Sequence, residues 1–549
     1  MIVAPCVAAQ APKPLTRADT LRGSNTAERA WWDALYYDLH VRINPADSSI
    51  SGYNAITYRT LKRSREMQID LQVPMVVDSV VQDGAELSVR HDGNAMFVKL
   101  LAPQPVGTRK TLSVYYHGKP TVAVRAPWDG GFVWAQDSLA RPWIATANEG
   151  LGASVWWPNK DIYSDEPDSQ TVAITVPDSL IDVSNGRLRK TIRNSDGTTT
   201  YEWFVSNPIN NYNITVNAAH YAHFSDVYEG EKGNLTLDFW PLSYNLDTAR
   251  KQFQQVKPML KCFETWFGPF PWYEDGFKLV ETPHLGMEHQ SAIAYGNHYL
   301  NGYRGKDRSE TGHGSQWDYI IVHESAHEWF GNSITMKDAA DMWIHESFAT
   351  YAEGIYTECQ QGKKAGSEYI IGDRHNIQND EQIVGVYGVN REGGGDMYNK
   401  GESMLHTIRQ LVDDDARWRG ITRGLGRTFW HQTVTGKQVE DYITRQSGVP
   451  LAKVFDQYLR TTRIPTLEYK LERDKLSYRW TNVVPGFAMP VKVTTATGSF
   501  DWIRPTENWK TTTISVARPE DFRVDENFYV VAKDLLKPAT DSTTVRKAQ

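Results

Sequence analysis

Residues 320–331 read Ile320-Ile321-Val322-His323-Glu324-Ser325-Ala326-His327-Glu328-Trp329-Phe330-Gly331, an apolar run carrying the pattern H-E-x-x-H and closed by a glycine. The run predicts a buried helix over 320–330. Residues four apart on a helix share a face one turn apart, so the His323 and His327 imidazoles converge on one point while Glu324 projects slightly around the cylinder. Buried without a metal, these polar groups would be costly. Zinc suits imidazole, and a catalytic zinc takes three protein ligands and keeps one position open. Glu346, with eighteen residues between it and His327, in Trp343-Ile344-His345-Glu346-Ser347-Phe348-Ala349-Thr350-Tyr351, is the candidate third ligand on a second buried helix. One zinc ion per chain follows. Such an ion brings the pKa of a coordinated water towards about 7, and Glu324 is placed to take its proton as the water attacks a carbonyl. The predicted reaction class is hydrolysis, with the bond left open.

The rest of the chain bounds this reading. The 549 residues are too many for one hydrophobic core, and 40% hydrophobic and 23% charged residues with 19 Trp mark an ordered chain. The balance of 59 basic against 66 acidic residues leaves no electrostatic footprint for nucleic acid. Cys6, Cys262 and Cys359 are the three cysteines. They allow no cysteine metal cluster, no disulfide framework is expected, and Cys262 and Cys359 read as small apolar packing groups. No apolar stretch reaches the roughly 20 residues needed to span a bilayer, so no integral membrane segment is expected. The opening Ile2-Val3-Ala4-Pro5-Cys6-Val7-Ala8-Ala9-Gln10 looks like the tail of a secretory signal. It points to a periplasmic or extracellular protein, with the cytoplasm as the alternative.

Period-two alternation dominates 31–223, as in Leu39, Val41, Ile43, in Leu112, Val114, Tyr116 and in Val172, Ile174, Val176. Turns at Gln82-Asp83-Gly84, His91-Asp92-Gly93 and Ser195-Asp196-Gly197 suit hairpins. From about Asn245 the steps lengthen to three and four, with Phe253, Val256, Leu260, Phe263 and Phe267 ending at Gly268-Pro269. Alternation returns after Pro465 in Leu467, Tyr469, Leu471, in Leu476, Tyr478, Trp480, in Phe500-Asp501-Trp502 and in Phe528-Tyr529-Val530. The predicted fold is a multidomain α+β chain. It divides into a signal remnant and linker over 1–26, a β-rich N-terminal domain over 27–224, a mainly helical catalytic domain over 225–463, a short C-terminal β-sandwich over 464–538 and a tail over 539–549.

The motifs together resemble the aminopeptidase N family of zinc metallopeptidases, the gluzincins that include leukotriene hydrolase-like and bacterial aminopeptidases. The family couples H-E-x-x-H to a glutamate eighteen residues on and to an upstream G-x-M-E-N. Here the upstream segment is Leu285-Gly286-Met287-Glu288-His289, with Leu in place of the first Gly and His in place of Asn. The resemblance implies a thermolysin-like catalytic domain, and it implies that Glu288, with Gly286 and Met287 beside it, binds the free α-amino group of a peptide. Glu149, in Ala145-Thr146-Ala147-Asn148-Glu149 ahead of Trp157-Pro158, is similar to the family's second amine-binding position. Two carboxylates around one ammonium leave an N-blocked peptide with unpaired buried charge, which costs several kcal/mol. Met397-Tyr398-Asn399-Lys400-Gly401 resembles the family's Tyr-x-Lys-Gly, which gives Tyr398 the oxyanion role. Many relatives add a large helical domain over the site, whereas the stretch after Arg463 reads as strands, and the expectation is an open site that admits longer peptides.

The function implied is removal of single residues from the free amino end of peptides. The alternatives are a thermolysin-like endopeptidase, which has no need of Glu149 and Glu288, a non-catalytic peptide-binding scaffold, and an epoxide hydrolase activity as in the leukotriene hydrolase branch. Residue preference and oligomeric state are not written in the sequence.

Overall fold

The computed structural model describes residues 14–496, 498–516 and 518–537. The opening run read as a signal tail and the tail over 539–549 lie outside the described residues. Within the segment read as linker, Arg17–Gly23 is a helix closed at its start by a Thr16–Asp19 capping box. Its Arg22 donates to the carbonyls of Leu151 and Asp161.

The alternating stretches of the N-terminal part become the strands Trp32–Asn44, Arg109–Gly118 and Ser169–Pro177 of an eight-stranded sheet. Each inward residue is buried because the pleat sends alternate side chains to opposite faces. Leu39 lies opposite Val172 and Val41 opposite Ile174 in a parallel pairing. The three predicted turns all close hairpins, and at the first of them Asp83 and Gly84 both take positive φ, as a two-residue hairpin turn requires.

The middle part is less purely helical than its periodicity suggests. It opens on a five-stranded sheet in the order Phe224–Gly230, Gly233–Trp240, Phe277–Glu281, Ile293–Tyr295, Gly286–Met287. The last of these is a two-residue edge strand. Helices Val256–Phe267, Tyr319–Ala326, Trp343–Gln361 and Asn399–Val412 follow. Two of them are cross-linked by a disulfide between Cys262 and Cys359. This corrects the expectation that those cysteines merely pack: two helices distant in sequence bring the pair within bonding reach.

After Pro465 the strands Thr466–Glu472 and Lys475–Thr481 pair with Leu467 opposite Trp480, Tyr469 opposite Tyr478 and Leu471 opposite Leu476. They form the centre of a four-stranded sheet, accompanied by a two-stranded hairpin over 491–503. Phe528-Tyr529-Val530 is not itself a strand; the strand begins at Val531. Among the described residues no helix is long and apolar enough to cross a membrane.

Candidate metal centre and amine-binding site

Asp318 starts the helix Tyr319–Ala326 by accepting from the backbone N–H groups of Ile320 and Ile321. The assigned helix stops four residues earlier than predicted, yet His327 keeps helical angles, φ −63° and ψ −20°. The chain then turns away through Gly331 at φ 136°. A Cβ there would lie 3.1 Å from His327 Nδ1, so the glycine that ends the motif also makes room for its second histidine.

His323 and His327 turn their Nε2 atoms to within 3.3 Å of each other. Glu346, in the first turn of the helix Trp343–Gln361, brings Oε2 to 3.5 Å from His323 Nε2 and 3.6 Å from His327 Nε2. The other ring nitrogens are committed elsewhere. His327 Nδ1 donates to the Phe330 carbonyl at 3.0 Å and His323 Nδ1 donates to Glu353 Oε1 at 2.8 Å, which fixes both tautomers with Nε2 as a free lone pair. Glu346 Oε2 is buried with no hydrogen-bond partner. Two oriented imidazoles and one orphaned carboxylate oxygen converging on one point fit a zinc ion. Glu353 was not singled out in the sequence; its only signal there was a spacing of two turns from Glu346 on one helix face.

Glu324 projects beside this cluster, with a carboxylate oxygen in reach of Glu288 and His327. Burial, aided by the charges of Glu288 and Glu346, pushes its carboxyl up to about 8. Gly286 lies against it: a Cβ there would meet Glu324 Oε1 at 2.6 Å. Gly286 and Met287 form the edge strand antiparallel to Ile293–Tyr295, and Met287 packs with Ala294 and with Ala147 of the N-terminal part. That contact seats the loop carrying Glu149 against Glu288.

Glu149, Glu288 and His345 each bring one polar atom within 4.8 Å of the others. Tyr212 donates to Glu288 Oε1 at 2.9 Å, while Glu149 Oε1 is buried without a partner. The Glu149 carboxyl is held well above the usual carboxylate range by burial, then by Glu288 and Glu346. His345 accepts from the Met336 N–H at 2.9 Å through Nε2, and burial takes its pKa down to about 3, so it brings no positive charge to the carboxylates. Tyr398 immediately precedes the helix Asn399–Val412 and lines the same cavity, its ring 6.2 Å from that of His323. Burial, then Glu346 and Glu149, keep its phenol protonated. Gly401, the last residue of its motif, lets that helix close on the helix Trp343–Gln361, since a Cβ there would lie 1.9 Å from Ser347 Oγ. The cavity joining these groups measures about 570 Å3.

Residues 251–458, which contain both histidines, Glu346 and Tyr398, match the peptidase family M1 domain. The chain carries a peptidase family M1 domain. The resemblance to the aminopeptidase N family read from the motifs is thereby borne out. The chain is 27% identical to an aminopeptidase N of Lactococcus lactis subsp. lactis over 37% of its own length and 26% of that protein. It is 23% identical to a glutamyl aminopeptidase of Bitis rhinoceros over 58% and 36% respectively. It thus spans about a quarter to two-fifths of the length of these relatives. The fold is similar to that of an M1 zinc metallopeptidase from Deinococcus radiodurans, with a TM-score of 0.65 at 21% identity, covering 79% of this chain and 95% of that one. A mutant of that protein was crystallised with the substrate Tyr-Ser-Ala. The M1 domain holds most of the site, and Glu149 reaches it from the β-rich part outside.

Proposed function

We propose that this protein is a zinc-dependent aminopeptidase that hydrolyses the first peptide bond of peptides with a free amino terminus. One observation carries the reading. Glu149 and Glu288 face each other beside the His323–His327–Glu346 cluster with no Lys or Arg paired to either among the described residues. Two buried carboxylates in this state call for a cation, and the α-ammonium of a peptide placed one residue from the metal supplies it. An endopeptidase gains nothing from such a pair.

Zinc, when held by His323, His327 and Glu346, supplies a Lewis acid for the scissile carbonyl and for water. The remaining work belongs to the chain. Glu149 and Glu288 fix the amine and so choose which carbonyl reaches the metal. Glu324 takes the proton of the attacking water and passes it to the leaving amine. Tyr398 donates its phenolic hydrogen to the oxygen on which charge develops. The edge strand Gly286–Met287 offers backbone groups to an extended substrate.

The helical part is read as thermolysin-like and the C-terminal sheets as a sandwich. A periplasmic or extracellular setting is supported by the Cys262–Cys359 disulfide, since such bonds persist in oxidising compartments. The experiment for the activity is hydrolysis of aminoacyl-anilides against their N-acetylated counterparts, with and without a zinc chelator. Chelator-sensitive cleavage of the free-amine set alone is expected; equal cleavage of blocked substrates removes the reading in favour of an endopeptidase.

A further inference from the structure

The cavity wall is rich in carboxylates and carries one guanidinium, that of Arg308. Arg308 lies partly buried between the rings of Tyr303 and Tyr319, its Cζ 5.5 Å from each ring centre. It donates to the Tyr319 phenol at 3.2 Å and to Asn399 Oδ1 at 3.4 Å. Asn399 is turned by its own amide, which donates to Asp373. These are two long, neutral contacts for a group with five N–H donors and a permanent charge. Among the described residues no carboxylate lies within ion-pairing distance of it. Tyr319, Asp373 and Glu353 favour the charge on this cation, yet none of the carboxylates touches it, so a planar guanidinium stacked in place and facing a cavity keeps donors for an anion from outside.

Its position relative to the amine site gives that anion a meaning. Tyr319, His323 and His327 follow one another at four-residue steps along one helix face. Glu288 reaches the His327 end of this row and Arg308 the Tyr319 end. Tyr319 and His327 are separated by about 12 Å of helix rise, and an extended peptide of two or three residues spans about 7–11 Å. The two charges of a short zwitterionic peptide match the two ends of the cavity.

We infer that Arg308 receives a substrate carboxylate on the leaving-group side of the scissile bond, foremost the C-terminal carboxylate of di- and tripeptides. The inference rests on the aminopeptidase reading and deepens it by naming the substrate class. It favours short peptides over long ones, against the expectation of an open site that admits longer peptides.

The test compares Leu-Ala and Leu-Ala-Ala with their C-terminal amides on the zinc-loaded full chain. A hydrogen-bonded charge pair predicts a preference of about ten- to a hundredfold for the free acids, carried by KM. In Arg308→Gln the ratio of acid to amide falls to about one, and in Arg308→Lys it is partly kept. Equal rates for acids and amides in the unaltered protein overturn the inference. Full recovery by Leu-Asp-amide replaces the terminal source by a side-chain carboxylate. Calorimetric binding of the same acid and amide pairs reads the preference without turnover. Absence of anilide hydrolysis therefore counts against the proposed activity alone, whereas equal binding of the two counts against Arg308.

Discussion

The Nδ1 of His323 donates to Glu353 Oε1 at 2.8 Å while its Nε2 faces Glu346, seven residues earlier on the same helix. One helix therefore supplies both a ligand and the group that orients another ligand. Glu353 is itself held by Tyr369, which donates to its Oε2 at 2.6 Å. Glu353→Ala should raise the zinc dissociation constant by about 10–100-fold, with activity returning at excess zinc. Competition against a chelator of known affinity checks this; unchanged affinity would remove Glu353 from the metal centre.

Glu324→Gln keeps all three ligands and removes the proton acceptor. Zinc content should stay at one per chain while kcat falls by about 10²–10⁴. Metal analysis beside steady-state kinetics decides it, and loss of the metal would make Glu324 a structural residue instead.

Gly286→Ala places a methyl 2.6 Å from Glu324 Oε1, closer than real contacts allow. Displacement of a catalytic group by about 1 Å costs about 10²-fold in rate. A drop of that order in kcat with unchanged zinc content is expected; wild-type kinetics would show that the strand yields without moving Glu324.

Reduction of Cys262–Cys359 should lower thermal stability, because the bond closes a loop with a sequence separation of 97. Chain entropy alone assigns such a loop about 4.7 kcal/mol. Melting of the protein with and without a reductant, alongside the Cys262→Ser and Cys359→Ser double variant, measures it, and coincident curves would refute the contribution.

Asp415 accepts from Arg409 at 2.9 Å and from Lys363 at 2.7 Å. Burial raises its pKa, but these two hydrogen bonds outweigh burial and hold it at about 2. A depressed folded pKa gives stability that is present above the unfolded value near 4 and is lost as pH falls towards 2. Asp415→Asn should be less stable than the wild type at pH 7 by under about 1 kcal/mol, since the pair is screened by solvent. That gap should close between pH 4 and 2. Denaturant unfolding across this range reads it, and a gap independent of pH would assign the loss to packing.

Much of the site was legible because its spacing is helical: His323, Glu324 and His327 need only one turn of known geometry, and Glu346 a second helix. Glu353 was not, since a glutamate two turns along a helix looks like any other until its partner is seen. The strands Phe277–Glu281 and Ile293–Tyr295 escaped because both faces are buried, which removes alternation, and because they are short. Cys262 and Cys359 could not be paired from sequence, since their approach depends on how two distant helices pack. Arg308 sits in an irregular loop with positive φ at Arg304 and Glu310, where no periodicity announces which way a side chain points.

Glu149 comes from the β-rich N-terminal part and Glu288 from just after the edge strand Gly286–Met287, and Ala147 packs on Met287 and Ala294 between them. On the proposed amine-binding role of these carboxylates, the origin from which the molecule measures its substrate is a seam between two parts of the chain. A small slip along that seam would leave the hydrolytic machinery intact and change where the ruler begins, turning loss of docking into an error of counting.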